Sequence, residues 1–213
     1  MRNERIRKKF VVGVDEAGRG PLAGPVVAAA VASNCNLKKI NFPFKIRDSK
    51  KLSQKRRKEV FDFLKKAPQI FFATAFVSPR QIEKINIFEA TKWAMAKAVK
   101  KLLKKAKMKK VDLLLLDGNF KIQNFYFERL KILPPKVQKS IVKGDEKIPL
   151  LSLASVVAKV TRDRTMEKLA KKYPQYRFEK HKGYPTKEHF LLIKKYGFCP
   201  LHRKTFSFLS KIK

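Results

Sequence analysis

The sequence predicts an α/β protein: a mixed sheet with helices on both faces. Three observations lead there. Short apolar, β-branched runs come early in the chain. Helical periodicities alternate with such runs later. One run, Val111 to Leu116, is apolar almost throughout and stops at Asp117-Gly118-Asn119. A strand apolar on both faces belongs in a sheet that is covered on both sides. The length of 213 residues suits one good-sized domain. No repeat of solenoid period and no low-complexity linker divides it.

In chain order, residues 1–9 read as a basic arm, 10–172 as the main domain and 173–213 as a helical and loop extension of it. Phe10 to Val14 is a short apolar run and predicts a strand. The Gly- and Pro-rich stretch Gly18 to Pro25 follows, then a second strand, Val26 to Ala32. Ser53 to Lys66 spaces Val60, Phe61 and Leu64 along one helical face. Ile70 to Val77 is aromatic and β-branched, which predicts a third strand. From about Glu83 to Lys105 an amphipathic helix puts Phe88, Thr91, Met95, Val99 and Leu102 on one side. Lys97, Lys100, Lys101, Lys104 and Lys105 crowd the other. Val111 to Leu116 is the central strand, and Val137 to Val142 a further short one. Pro149 opens a helix reaching about Lys172, because proline suits the first helical position. Pro174, Gly183-Tyr184-Pro185 and Pro200 then break the chain around one more helix, near Lys187 to Tyr196.

Charge points to the partner. Lys and Arg number 52 against 17 Asp and Glu, a net +35, while hydrophobic residues make up an ordinary 44%. Such a surplus implies a polyanion, with nucleic acid ahead of an anionic membrane surface or an acidic protein. No apolar run approaches the roughly 18 residues of a membrane span. The run after the basic start ends at Asp15-Glu16, which argues against a signal peptide. Cys35 and Cys199 are far apart, and His181, His189 and His202 have no cysteine partners at zinc spacing. Two ordinary thiols in a reducing, cytoplasmic setting are expected.

The stretch Val12 to Pro25 carries the chemistry. Asp15 and Glu16 end a buried-looking strand, and glycines follow that let backbone approach a bulky ligand. A dinucleotide fingerprint fails, because charges separate the glycines from the strand and Pro21 interrupts them. A phosphate-binding Walker loop fails for want of Gly-Lys-Ser/Thr. A hairpin with solvent-facing acids is the plain alternative. Against it stands Asp117, a second acid at the end of an apolar strand, where α/β sheets build sites. Asp163 is a further candidate. Ser155, Lys159 and Asp163 recur every four residues and share a helix face, so a simple Lys159–Asp163 ion pair is the competing reading. Four carboxylates without His or Cys suit a hard cation, Mg²⁺ or Mn²⁺.

These residues resemble a known family. Gly13 to Val31 is similar to the N-terminal signature of type 2 ribonucleases H, specifically ribonuclease HII. The likeness continues in order through Asp48-Ser49-Lys50-Lys51-Leu52, Asn86-Ile87 with Ala90-Thr91, Asp117-Gly118-Asn119 and Lys143-Gly144-Asp145. It ends with Ser155 to Arg164, His181-Lys182-Gly183-Tyr184-Pro185-Thr186 and His202-Arg203-Lys204. The resemblance implies a ribonuclease H-like mixed five-stranded sheet flanked by helices, with a helical C-terminal extension. It implies that Asp15, Glu16, Asp117 and Asp163 hold two divalent metals, Mg²⁺ or Mn²⁺, and activate water for in-line attack at phosphorus. The expected products carry a 5′-phosphate and a 3′-hydroxyl. Gly18, Arg19 and Gly20 match the loop that reads a 2′-hydroxyl at an RNA–DNA junction. Tyr184 matches the aromatic residue that rests on the deoxyribose just 3′ of it. The implied partners are RNA–DNA hybrids and duplex DNA with single embedded ribonucleotides, as in ribonucleotide excision repair, and the implied state is a monomer.

Arg19 and the early start of the signature at Gly13 favour the HII type over ribonuclease HIII, which usually has Lys at the first position and an added N-terminal domain. Leu153 departs from the small residue expected there. Lys50, Lys143 and Lys159 are candidate phosphate contacts. Asp48 and Asp145 suit turns and Trp93 suits the core, while His202 and Arg203 suit bracing of the C-terminal loop ahead of the alternative, contact with nucleic acid. The rival from another class is a basic nucleic-acid binder without catalysis. Such a protein would gain nothing from acids that repel phosphate.

Overall fold

The computed structural model describes residues 9–43 and 52–206. The basic arm up to residue 8, the tail from 207, and Asp48, Lys50 and Lys51 lie outside the described residues. Five strands form one sheet: β1 (Val11–Ala17), β2 (Val26–Ser33), β3 (Ile70–Val77), β4 (Leu113–Asp117) and β5 (Val137–Ile141). Their order is β3-β2-β1-β4-β5. β1 runs antiparallel to β2 and parallel to β4, so the sheet is mixed and β1 lies at its centre. The helices are α1 (Gln54–Lys66), α2 (Pro79–Lys105), α3 (Asn124–Arg129), α4 (Gly144–Lys147), α5 (Pro149–Lys172), α6 (Phe178–His181) and α7 (Lys187–Tyr196). The five predicted strands and four predicted helices are all present.

Alternation along β2 explains the two layers. Val26, Ala28, Ala30 and Ala32 join Val12 and Val14 of β1 against α2, burying Ala94, Met95, Ala98 and Leu102. Ala29 and Val31 face the other way, onto α1 and α5, against Val60, Leu64, Val156 and Val157. Successive side chains of a strand point to opposite faces, so a strand buried on both sides needs both sets apolar. The small alanines let each long helix lie close. Gly13 is the extreme case: a Cβ there would meet the backbone of Leu150, at the start of α5, at 2.8 Å. Leu153 is buried in the α1–α5 layer.

Two expectations need correcting. α2 begins at Pro79, not Glu83, behind a Ser78–Gln81 capping box. It is also two helices across a kink at Asn86, whose φ of 62° lies in the left-handed region. Both halves pack on the sheet, with Ile82 before the kink and Ala90, Ala94 and Met95 after it all buried, but Phe88, in the first turn after the kink, is exposed where a core position was expected. Among the described residues, no helix is long and apolar enough to cross a membrane.

Candidate active site

β1 and β4 are parallel neighbours whose last register pair is Val14 with Leu116. Asp15 and Asp117 therefore sit one step past that pair, side by side at the carboxyl ends of two adjacent strands. The β1–β2 ladder runs unbroken to Ala17, so no bulge is needed to bring Glu16 in. Asp15 is buried, and its carboxylate accepts from the Glu16 amide at 2.7 Å. Burial, then the charges of Glu16 and Asp117, push its pKa well up, against a hydrogen bond from Ser155 on α5. Glu16 is raised too, by burial and then by Asp117, while Arg19 at 3.4 Å pulls the other way. One carboxylate oxygen of Glu16, Oε2, is buried without a hydrogen-bond partner. Asp117 accepts from the Gly144 amide at 2.7 Å, which ties the end of β4 to the start of α4. These three acids form one electrostatically coupled set.

Asp163 stands apart from that set. It is buried on α5 and receives Lys159 Nζ at 2.9 Å, the ion pair that the four-residue spacing allowed. Among the described residues, no three His, Cys, Asp or Glu side chains already form a cage for an ion. The donor chemistry nonetheless fits hard cations. All donors are carboxylate oxygens, one is buried and unpartnered, and burial, with the Asp117 charge added to it, raises the proton affinity of Asp15 and Glu16.

A cleft of about 390 Å³ opens beside Glu16. Gly18, Arg19, Gly20, Ser155, Lys159 and Tyr184 line it, together with Arg57. Lys143 does not. It sits exposed in a left-handed turn (φ 53°) ahead of α4, one residue before the Gly144 amide that holds Asp117. Tyr184 is exposed, with Lys159 Nζ 5.5 Å and the Arg162 guanidinium 5.6 Å from its ring centre.

Buried arginines shape the glycine loop from beneath. Arg203 donates to the carbonyls of Gly18 (2.7 Å), Arg19 (3.0 Å) and Gly24 (2.9 and 2.7 Å). Arg162 donates to those of Pro25 and Ala23, each at 3.1 Å. Arg203 was expected to brace the C-terminal loop or contact nucleic acid; its side chain instead bonds the glycine loop. Arg162 and Arg57 had no assigned role, because bonds to backbone carbonyls, distant for Arg162 and five residues back at Leu52 for Arg57, leave no side-chain pattern in sequence. Asp145 is buried inside α4 rather than in an open turn, and Trp93 is half-buried against the α2-side core.

The chain is similar to proteins of one kind. A family profile described as Ribonuclease HII matches residues 12–209. The "Ribonuclease HII" of Endomicrobium trichonymphae is 46% identical over 197 residues, covering 92% of this chain and 85% of that protein. Ribonuclease H2 from Pyrococcus horikoshii OT3 superposes with a TM-score of 0.72 at 29% identity, covering 95% and 96% of the two chains. A more distant structure, Bst-RNase HIII in complex with Mn²⁺, shares the fold at 17% identity and a TM-score of 0.72, covering 98% of this chain and 70% of its own.

Proposed function

This chain belongs to the ribonuclease HII family of endonucleolytic hydrolases, which cut the RNA strand of RNA–DNA hybrids, and we propose that it also nicks duplex DNA 5′ of a single embedded ribonucleotide. The observation that carries the reading is one juxtaposition. Three coupled carboxylates stand at the ends of β1 and β4, and the cleft beside Glu16 is lined by the loop Gly18-Arg19-Gly20 and by Tyr184.

In this reading Asp15, Glu16 and Asp117 hold divalent cations, Mg²⁺ or Mn²⁺. Asp163 joins them by giving up its ion pair with Lys159. When bound, two such ions would activate water and neutralise charge on the attacking and leaving oxygens of the phosphodiester. The protein's own part is orientation. In the exposed Arg19-Gly20 segment Arg203 takes the Arg19 carbonyl, and the Gly20 backbone offers polar groups to a 2′-hydroxyl, the group that separates RNA from DNA. Tyr184 offers a flat apolar ring to the neighbouring sugar. Lys159, released from Asp163, and Arg19 offer charge to the backbone phosphates. Hydrolysis in this arrangement leaves a 5′-phosphate and a 3′-hydroxyl. The relative with bound Mn²⁺ shares the fold and agrees with an ion of this class.

The test is a nicking assay on a labelled DNA duplex with one internal ribonucleotide, beside an all-DNA duplex. We expect a metal-dependent cut on the 5′ side of the ribonucleotide, absent with EDTA and absent on all-DNA. Asp15→Asn should bind the duplex and leave it whole. The same change should raise the melting temperature in metal-free buffer, because it removes a buried charge that its neighbours oppose. Tight binding without a cut under either metal would turn the assignment toward a non-catalytic binder.

A further inference from the structure

One chain of hydrogen bonds runs from Cys199 through His202 and His189 to Tyr184, and the backbone at both ends fixes its direction. The Cys199 amide lies 2.9 Å from Nδ1 of His202. An amide N–H can only donate, so His202 Nδ1 is bare and its proton sits on Nε2. The Cys199 carbonyl is a longer 3.3 Å from the same nitrogen, and a proton placed there would face the amide hydrogen. His202 Nε2 lies 3.2 Å from His189 Nε2. Two neutral rings share one hydrogen there; His202 supplies it, so His189 carries its own on Nδ1. That nitrogen is 2.9 Å from the Tyr184 carbonyl, which can only accept. Both ends thus demand the same tautomers.

His181 obeys the same logic. The Gly183 amide meets its Nδ1 at 3.2 Å, so its Nε2–H donates to the Tyr176 carbonyl at 2.9 Å. The rings lie against one another and are all buried. Burial drives His189 and His202 down to about 4, which keeps both neutral near pH 7. The Tyr184 backbone is tied on both sides, while Lys159 and Arg162 stand over its ring. Its amide donates to the His181 carbonyl at 2.9 Å, and its carbonyl accepts from His189 and, at 2.8 Å, from the Thr186 amide. The Gly183 carbonyl before it accepts from the Leu22 amide at 2.8 Å, so the segment is pinned to the glycine loop as well.

We propose that His189 and His202 are positioning residues: their oriented pair locks the Tyr184 backbone and so aims the exposed ring into the cleft. The proposal rests on the reading of Tyr184 as a substrate-facing residue. It gives the extension after α5 a task in recognition.

Two experiments test it on the full chain. Long-range proton–nitrogen NMR spectra at pH 7 read tautomers directly. We expect His189 as the Nδ1–H form, with His181 and His202 as Nε2–H forms; the Nε2–H form or a cation at His189 overturns the proposal without any variant. Cleavage of a duplex with one ribonucleotide is then measured for His189→Leu, His189→Asn, Tyr184→Ala and the Tyr184→Ala/His189→Leu pair. His189→Leu should lower kcat/KM roughly tenfold, the scale of one lost buried hydrogen bond. His189→Asn, which keeps an N–H near the Nδ1 position, should recover most of that. In the Tyr184→Ala background the leucine change should cost nothing further; additive losses overturn the positioning role. If Tyr184→Ala alone cleaves like the parent protein, the substrate-facing reading falls and the proposal with it, an outcome distinct from additivity.

Discussion

Gly18 and Gly20 look equivalent in sequence and differ completely in space. Gly18 has φ +98°, and a Cβ on it would lie 2.1 Å from Nε of the buried Arg162. Gly20 is exposed, and a Cβ there would meet nothing within 4 Å. The first glycine therefore serves the fold and the second leaves room for something outside it. Gly18→Ala should destabilise by about 2 kcal/mol or more, since both the backbone and a bonded guanidinium must move. Gly20→Ala should leave the melting temperature unchanged, yet lower kcat/KM on a duplex with one ribonucleotide. Thermal melts beside cleavage rates decide this, and equal melting losses for the two would refute it. Arg203 belongs to the same economy. Burial lowers its pKa to about 9, still charged near neutrality, and its donors serve three carbonyls. Arg203→Met should strip those carbonyls of partners and destabilise by about 3 kcal/mol or more, measured by denaturant unfolding.

At the scale of elements, α2 holds the clearest strain. Asn86 takes a left-handed φ of 62° and turns its side chain back, Oδ1 accepting from the amides of Phe88 (2.9 Å) and Glu89 (3.0 Å). It is the N-cap of the second half-helix. Asn86→Ala loses the cap and keeps the strain, so a cost of about 1–2 kcal/mol is expected; Asn86→Gly removes the strain and should cost less. Equal unfolding free energies for the two variants would contradict that account. This kink also shows where the sequence was opaque. A single period from Glu83 to Lys105 hid both the break at Asn86 and the exposure of Phe88, which sits in the first turn after the break and packs on Phe120 and Lys92. Elsewhere the strands were legible because a sheet covered on both faces needs unbroken apolar runs, as in β2 and β4. α3, α4 and α6, of four to six residues, escaped because helices that short complete no apolar period and are held by tertiary contacts. The acids at strand ends were legible for the same reason as the strands, since Asp15 and Asp117 interrupt apolar runs. Arg57, Arg162 and the histidine chain were not, because their partners lie far off in sequence or on the backbone.

Across the whole molecule, acid and salt act on different parts. His189 and His202 are held near 4 by burial, against an unfolded value of about 6.5. The unfolded chain therefore takes up protons first, and the stability tied to neutral rings is complete above pH 6.5 and lost progressively toward pH 4. The limit is about 3 kcal/mol for each ring. Asp15 and Glu16, whose pKa values are raised, oppose that loss as they protonate. His202→Asn should flatten the acid branch of a melting-temperature profile, and an unchanged slope would refute this. Salt separates the fold from its partner. With a net charge of +35, most lysines have too few acids to pair with, and the exposed ion pairs that do form contribute little. The folded state thus carries strong self-repulsion, which added salt screens. Raising NaCl from about 50 to about 500 mM should increase the melting temperature. Binding to a nucleic-acid duplex should move the other way, with the logarithm of affinity falling by about 0.9 per phosphate contacted for each unit in the logarithm of salt. The two slopes must have opposite signs if one lysine-rich surface both strains the fold and holds the substrate. A melting temperature that falls with salt would mean that the exposed pairs outweigh the repulsion. A flat binding curve would mean that the charge excess does not meet phosphate at all.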